Sequence, residues 1–232
     1  MFWYYMDYSF LALVVPALVF SIITQISVNG AYRKFSRIPN SRQMTGAQAA
    51  QRVLQHAGVM NVRIEPVGGR LSDHYDPRAN VIRLSEDIYA GMSVAAVGIA
   101  CHEAGHAVQY AQRYLPIRVR NVILPLCRIG SFAGVPLAIL GYFLSFGPLI
   151  TVGLGLYAAV AVFQLATLPV EFNASRRALQ IIDEHGLLLG AGEYDGAKKV
   201  LRAAALTYVA SLAVTLMSLL RMLLLFQRRG RR

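Results

Sequence analysis

The sequence predicts a mainly α, integral membrane protein with a small α+β globular part, and three observations carry that prediction. Apolar residues make up 56% of the 232 positions and charged residues only 15%. Several windows approach the ~20 consecutive apolar residues that a helix needs to cross a bilayer core. Between the first and second of these windows lies a stretch of ordinary globular composition that contains Cys101-His102-Glu103-Ala104-Gly105-His106. The formal net charge of +11 is spread over loops and span ends rather than gathered in a basic domain. That distribution favours membrane orientation and contact with membrane lipid, and it argues against nucleic-acid binding.

In chain order, residues 9–28 form the first expected transmembrane helix, holding Pro16. A membrane helix tolerates proline where neighbours satisfy the freed carbonyl. Met1 to Tyr8 carries no basic residue, and the apolar run behind it is too long for a signal h-region, so the segment is expected to stay as an anchor. Tyr32-Arg33-Lys34-Phe35-Ser36-Arg37 follows and reads as an interfacial anchor and orientation signal.

Residues 40–116 form the membrane-proximal globular region. Thr45 with Gln48 makes a capping box and Gly58 suits a C′ position, so a short helix is expected from Thr45 to Ala57. His56 near its end reads as a surface residue favoured by the helix dipole. Val62 to Val67, Leu71 to Tyr75 and Asn80 to Leu84 are β-prone pieces broken by turn residues, and the last two form an expected hairpin. Such a sheet either stiffens the scaffold or lends an edge to an extended peptide. Asp73, His74 and Asp76 are assigned turn and edge roles.

A helical pattern then runs from about Ser93 to Arg113 and ends before Pro116. Residues 124–146 and 149–168 are the second and third expected spans, joined at Gly147-Pro148, with a G-x-x-x-G at Gly130 and Gly134 that permits close packing. Pro169 is expected to open a further helix, followed by a loop, over residues 169–202. Residues 203–226 form a fourth span and 227–232 a basic tail.

The chemistry concentrates on the helix from Ser93. Its H-e-x-x-H spacing puts His102 and His106 one turn apart on one face, where two imidazoles can hold one metal ion, for which Zn2+ is the expected occupant. Glu103, one step round the helix, can take a proton from the attacking water, whose pKa the metal lowers to ~7. The implied reaction is hydrolysis. Cys101 points about a third of a turn from the metal and reads as a core residue.

A catalytic zinc site needs a third protein ligand. A metzincin would place a histidine where this chain has Gln112, and no acidic residue follows Glu103 until Glu171. The intervening membrane hairpin returns the chain to the face it left, so Glu171 comes back beside the motif helix. An unpaired carboxylate in the first turn after a span would be costly, which favours Glu171 as metal ligand over a salt bridge to Arg176. Asp183, Glu184, His185, Glu193 and Asp195 are the later candidates; they read as helix-end and surface residues.

The segments Leu71-Ser72-Asp73-His74-Tyr75-Asp76-Pro77, His102-Glu103-Ala104-Gly105-His106 and Leu168-Pro169-Val170-Glu171-Phe172, in this order between spans, resemble the YugP-like neutral zinc metallopeptidases of bacterial membranes. The resemblance implies a gluzincin-type membrane peptidase, distantly similar to HtpX and the CAAX prenyl proteases. The chain itself supplies about four expected transmembrane helices and a small α+β part built of a short β-hairpin and the H-E-x-x-H helix, which the resemblance makes zincin-like. In those relatives an aspartate four residues after the third ligand orients a zinc histidine, and here that place is held by Ser175.

The expected function is therefore hydrolysis of peptide bonds in membrane or misfolded proteins at the bilayer surface, with Glu103 as general base and Arg177 or His74 as candidate oxyanion donors. One alternative is an intramembrane protease, which would complete its site with a Leu-Asp-Gly segment in a later span; none is present. Another is a non-catalytic scaffold or adaptor holding a structural zinc, which calls for a fourth His or Cys ligand. Lysines and arginines are dense around the globular region and absent from the Gly147-Pro148 turn, so the site is expected to face the cytoplasm, with Met1 outside.

Overall fold

In a computed structural model of the chain, residues 8–229 are described, with side chains described to residue 226. The expectations for Met1 to Asp7 and for the end of the tail fall outside them. Four helices are long and apolar enough to cross a membrane: α1 (Phe10–Phe35), α5 (Leu115–Phe143), α6 (Gly147–Glu184) and the last helix, α7 (Glu193–Arg229). Between α1 and α5 lie α2 (Gly46–His56), β1 (Arg63–Val67), β2 (His74–Asp76), β3 (Val81–Ser85), the short α3 (Glu86–Tyr89) and α4 (Val94–Ala111). The protein is mainly α, with a single three-stranded sheet among the described residues.

The chain divides into two compact units. One takes the chain to Gln25, Arg118–Leu168 and the chain from Thr207. Within it, α5 and α6 approach closely at the G-x-x-x-G. A β-carbon on Gly130 would lie 2.1 Å from the Leu156 carbonyl oxygen, and one on Gly134 would lie 2.9 Å from the Tyr157 nitrogen. Only glycine fits at such separations, so these two positions set how near the helices come. A π-turn spans Gly130–Gly134, and the Ser131 hydroxyl donates to the Cys127 carbonyl at 2.9 Å.

The other unit is Ile26–Ile117 with Pro169–Leu206. Its sheet has the order β1-β3-β2, with β1 parallel and β2 antiparallel to the central β3, so the expected hairpin is present as β2 and β3. Val81, Ile82 and Leu84 of β3 are buried, as a central strand beneath helices requires. Thr45 and Gln48 exchange the two capping-box bonds, at 3.2 and 3.0 Å, and start α2 there. The Ser93 hydroxyl accepts from the Ala96 nitrogen at 3.1 Å and caps α4. The Asp76 carboxylate pairs with Arg83 at 2.9 Å and accepts from Arg78 N–H, which holds its pKa below the ordinary aspartate value. Asp73 accepts from Ser85 N–H at 2.8 Å. Asp76 thus holds the turn between β2 and β3, and Asp73 ties the segment before β2 to the end of β3.

Three sequence expectations are corrected. The helix of α1 continues to Phe35, and Tyr32 and Phe35 enter the core of this unit while Arg33, Lys34 and Arg37 stay exposed. The aromatic half of that run is therefore core rather than interfacial anchor, because a helix extended by one face delivers residues three apart to the same side. The basic stretch before the second span is itself helical: α5 starts at Leu115 rather than at Leu124, with Pro116 in the first turn, where its missing N–H costs nothing. Pro169 opens no new helix but lies inside the 38-residue α6. Its loss is one internal hydrogen bond, which a long, otherwise intact helix absorbs.

Candidate metal centre

Helix α4 carries His102 and His106 on one face, and α6 carries Glu171 opposite them. The Glu171 Oε2 lies 3.3 Å from His102 Nε2 and 3.6 Å from His106 Nε2. The three donors all fall within 4.8 Å of one another. A tetrahedral zinc ion with bonds of ~2.0–2.1 Å separates its ligand atoms by about 3.3–3.5 Å. The spacing and the N,N,O donor set thus fit zinc, and Glu171, only 4% exposed, turns its charge toward the two rings. Burial alone would disfavour the imidazolium of His106, but Glu171 and Glu103 outweigh it and raise the ring's pKa above the ordinary histidine value.

The close approach of α4 to α6 depends on Gly105 between the two histidines. A β-carbon there would meet the Ala174 carbonyl oxygen at 3.0 Å and the Ala174 Cα at 3.4 Å. The bare glycine brings the backbone of α6 near enough for Glu171 to reach both rings. Gly105→Ala is expected to push the helices apart at a cost of ~1–3 kcal/mol, the usual range for overpacking. Thermal unfolding of the metal-free protein, followed by a zinc titration, should show both lower stability and weaker binding.

Each histidine is held from behind. His102 Nδ1 lies 3.1 Å from the Ser175 hydroxyl, so the serine occupies the orienting position that the resemblance assigns to an aspartate. His106 Nδ1 lies 3.0 Å from Gln109 Oε1. The sequence reading missed Gln109. Its signal was present, since a glutamine three residues after His106 shares its face, but an amide in an apolar run carries no charge to mark it.

The remaining candidates lie elsewhere in their roles. Arg177 Nε donates to Asn173 Oδ1 at 2.7 Å and its Nη1 to Gln112 Oε1 at 2.7 Å, so two edges of the guanidinium are occupied by neutral acceptors. His74 is exposed, with Nδ1 2.7 Å from the Ser72 carbonyl. Cys101 is fully buried and its thiol pKa is pushed up by burial, in keeping with a core residue. Glu193 is buried at the start of α7, accepting from Ser41 N–H at 2.7 Å and Gly190 N–H at 3.0 Å. His185 stacks on His56 with ring centroids 3.4 Å apart; neither joins the cluster around Glu171.

Four apolar helices and two histidines facing a buried glutamate define the class: a membrane protein with a His-His-Glu cluster able to hold a metal ion. The chain matches the family described as "Putative neutral zinc metallopeptidase" over residues 10–227 and belongs to it. A relative in Bacillus subtilis (strain 168), described as "Putative membrane protease YugP", is 45% identical over 219 residues, which cover 94% of this chain and 96% of that protein. No solved structure matches the chain.

Proposed function

We propose that the protein is a membrane zinc endopeptidase that cuts extended segments of membrane or misfolded proteins at the bilayer surface, with His102, His106 and Glu171 as zinc ligands and Glu103 as general base. The observation that carries this reading is the placement of Glu171 Oε2 at 3.3 and 3.6 Å from two imidazole nitrogens that are themselves one helical turn apart. When bound there, zinc supplies Lewis acidity toward the peptide carbonyl and makes water a competent nucleophile at neutral pH. Glu103 accepts the proton of the attacking water and delivers it to the leaving amide nitrogen. Ser175 and Gln109 hold the two imidazoles so that their Nε2 lone pairs converge.

Strand β2 is an edge strand, and its Tyr75 ring packs 5.4 Å from Tyr110, one turn beyond His106 on α4. An extended polypeptide pairing with that edge would add as a further strand beside the motif helix, with backbone bonds giving affinity and little sequence preference. The scaffold alternative is disfavoured because the donor cluster holds three groups rather than four among the described residues. Three protein ligands leave the open position that catalysis needs.

Purified protein in detergent is expected to contain one zinc per chain and to hydrolyse a casein-type substrate. Chelation should abolish turnover and added zinc should restore it. Stoichiometric zinc without any hydrolysis across unfolded substrates would instead favour the scaffold.

The site is further assigned to the cytoplasmic side of a bacterial cytoplasmic membrane, on the density of arginines flanking the globular unit. Arg78 sits exposed in the turn between β2 and β3. An Arg78→Cys variant lacking Cys101 and Cys127 should resist a membrane-impermeant thiol reagent in intact cells and react after lysis. Labelling before lysis would reverse the orientation.

A further inference from the structure

Gln109 is fully buried, at 0% exposure, in the last turns of α4. A buried primary amide is costly unless each of its polar atoms finds a partner. Here it does. Gln109 Nε2 donates to the Val170 carbonyl at 2.8 Å and to Asn173 Oδ1 at 2.9 Å, and its Oε1 faces His106 Nδ1 at 3.0 Å.

Which end of each amide points where follows from chemistry. Arginine has no acceptor, so the Asn173 atom 2.7 Å from Arg177 Nε must be its oxygen. That oxygen can receive only the NH2 end of Gln109. The Val170 carbonyl, an acceptor with no hydrogen to give, imposes the same orientation independently. The Gln109 atom left facing His106 is then an oxygen, and it requires the proton of the neutral imidazole to sit on Nδ1. The lone pair of that ring is consequently on Nε2, the atom turned toward Glu171 at 3.6 Å.

We propose that Gln109 is a positioning residue that fixes His106 in its Nδ1–H form and aims Nε2 at the metal, its own amide being locked from behind by the Val170 carbonyl and by Arg177 acting through Asn173. This rests on the zinc-site reading above. The partner of His102 works differently: the Ser175 hydroxyl can donate or accept, so it supports that ring without dictating its tautomer. Arg177 thereby has a role two side chains removed from His106. Its bond to Gln112, the residue that caps the end of α4, ties the same two segments together a second time.

The test uses the full-length protein in detergent, stripped of metal and titrated with zinc against a chromophoric chelator. Gln109→Met keeps the length of the side chain and removes both bonding ends. It is expected to weaken zinc binding by ~10–100-fold, the usual range for loss of a histidine's supporting bond, while Ser175→Ala loses less. In zinc-loaded wild-type protein, the His106 Nδ1 proton should appear by NMR as a slowly exchanging resonance, and it should exchange fast in Gln109→Met. A folded Gln109→Met protein with wild-type zinc affinity overturns the proposal. So does a wild-type His106 Nδ1 proton that exchanges as freely as that of an exposed histidine, a measurement that stays decisive if the variant does not fold. Wild-type protein that binds zinc without cutting any peptide defeats the peptidase reading and leaves this one standing; wild-type protein that binds no zinc defeats both.

Discussion

Glu103→Gln protein is expected to hold one zinc per chain and to lose about 10²–10⁴-fold of its peptidase turnover, the range in which a positioned general base contributes. The two effects separate because Glu103 is absent from the donor cluster of His102, His106 and Glu171. Glutamine matches glutamate in size and keeps one acceptor oxygen, so packing on α4 should be unchanged. What it lacks is a basic oxygen for the proton of the attacking water. Turnover of a casein-type substrate, measured beside zinc content in the same preparation, reads both quantities. A Glu103→Gln enzyme with wild-type turnover would assign the base to another group, and a zinc-free one would place Glu103 among the ligands.

That separation could be read from the sequence because H-E-x-x-H is a local pattern. Residues four apart on a helix share a face whatever the rest of the chain does, and the capping residues Ser93 and Thr45 mark helix starts by chemistry confined to one turn. The β2–β3 hairpin was legible for the same reason. The contacts of α4 with α6 were less so, since they join residues more than sixty positions apart. Glu171 could be nominated only by elimination among carboxylates. Gln109 was marked only by its place three residues after His106, and its role stands out once the Val170 carbonyl and Asn173 are known to lie against it.

Helix continuity was misread for a related reason. Pro169 and the basic residues near Arg118 are local stop and boundary signals, and tertiary packing overrode both. In α6 this has a direct consequence for the site. Helical geometry over the turns from Pro169 to Glu184 fixes the angular positions of Glu171, Asn173, Ser175 and Arg177 relative to one another, so one element presents the candidate ligand Glu171, the Ser175 hydroxyl behind His102, and the Asn173 and Arg177 that hold Gln109 from behind.

Glu171→Ala is expected to weaken zinc binding on the order of 10²-fold or more and to abolish hydrolysis at ordinary zinc levels. Structural zinc sites with four ligands bind with about 10–16 kcal/mol, or roughly 3 kcal/mol per ligand, and every 1.4 kcal/mol is tenfold in affinity. The loss should exceed that of any supporting residue, because Glu171 provides both a donor atom and the negative charge that faces two imidazoles at 3.3 and 3.6 Å. His102→Ala and His106→Ala should behave alike, each leaving two donors where three are needed. Loss of fold is the competing explanation for lost zinc, and unfolding of the metal-free variants tests it. Removing Glu171 frees two half-buried imidazoles from a carboxylate but leaves Ser175 and Gln109 behind them, so a cooperative unfolding transition should persist. A titration of metal-stripped Glu171→Ala against a chelator of known affinity then measures the ligand alone. Stoichiometric zinc at wild-type affinity with normal turnover would remove Glu171 from the site and turn the search to Asp183 and Glu184 at the end of the same helix and to His185 just after it.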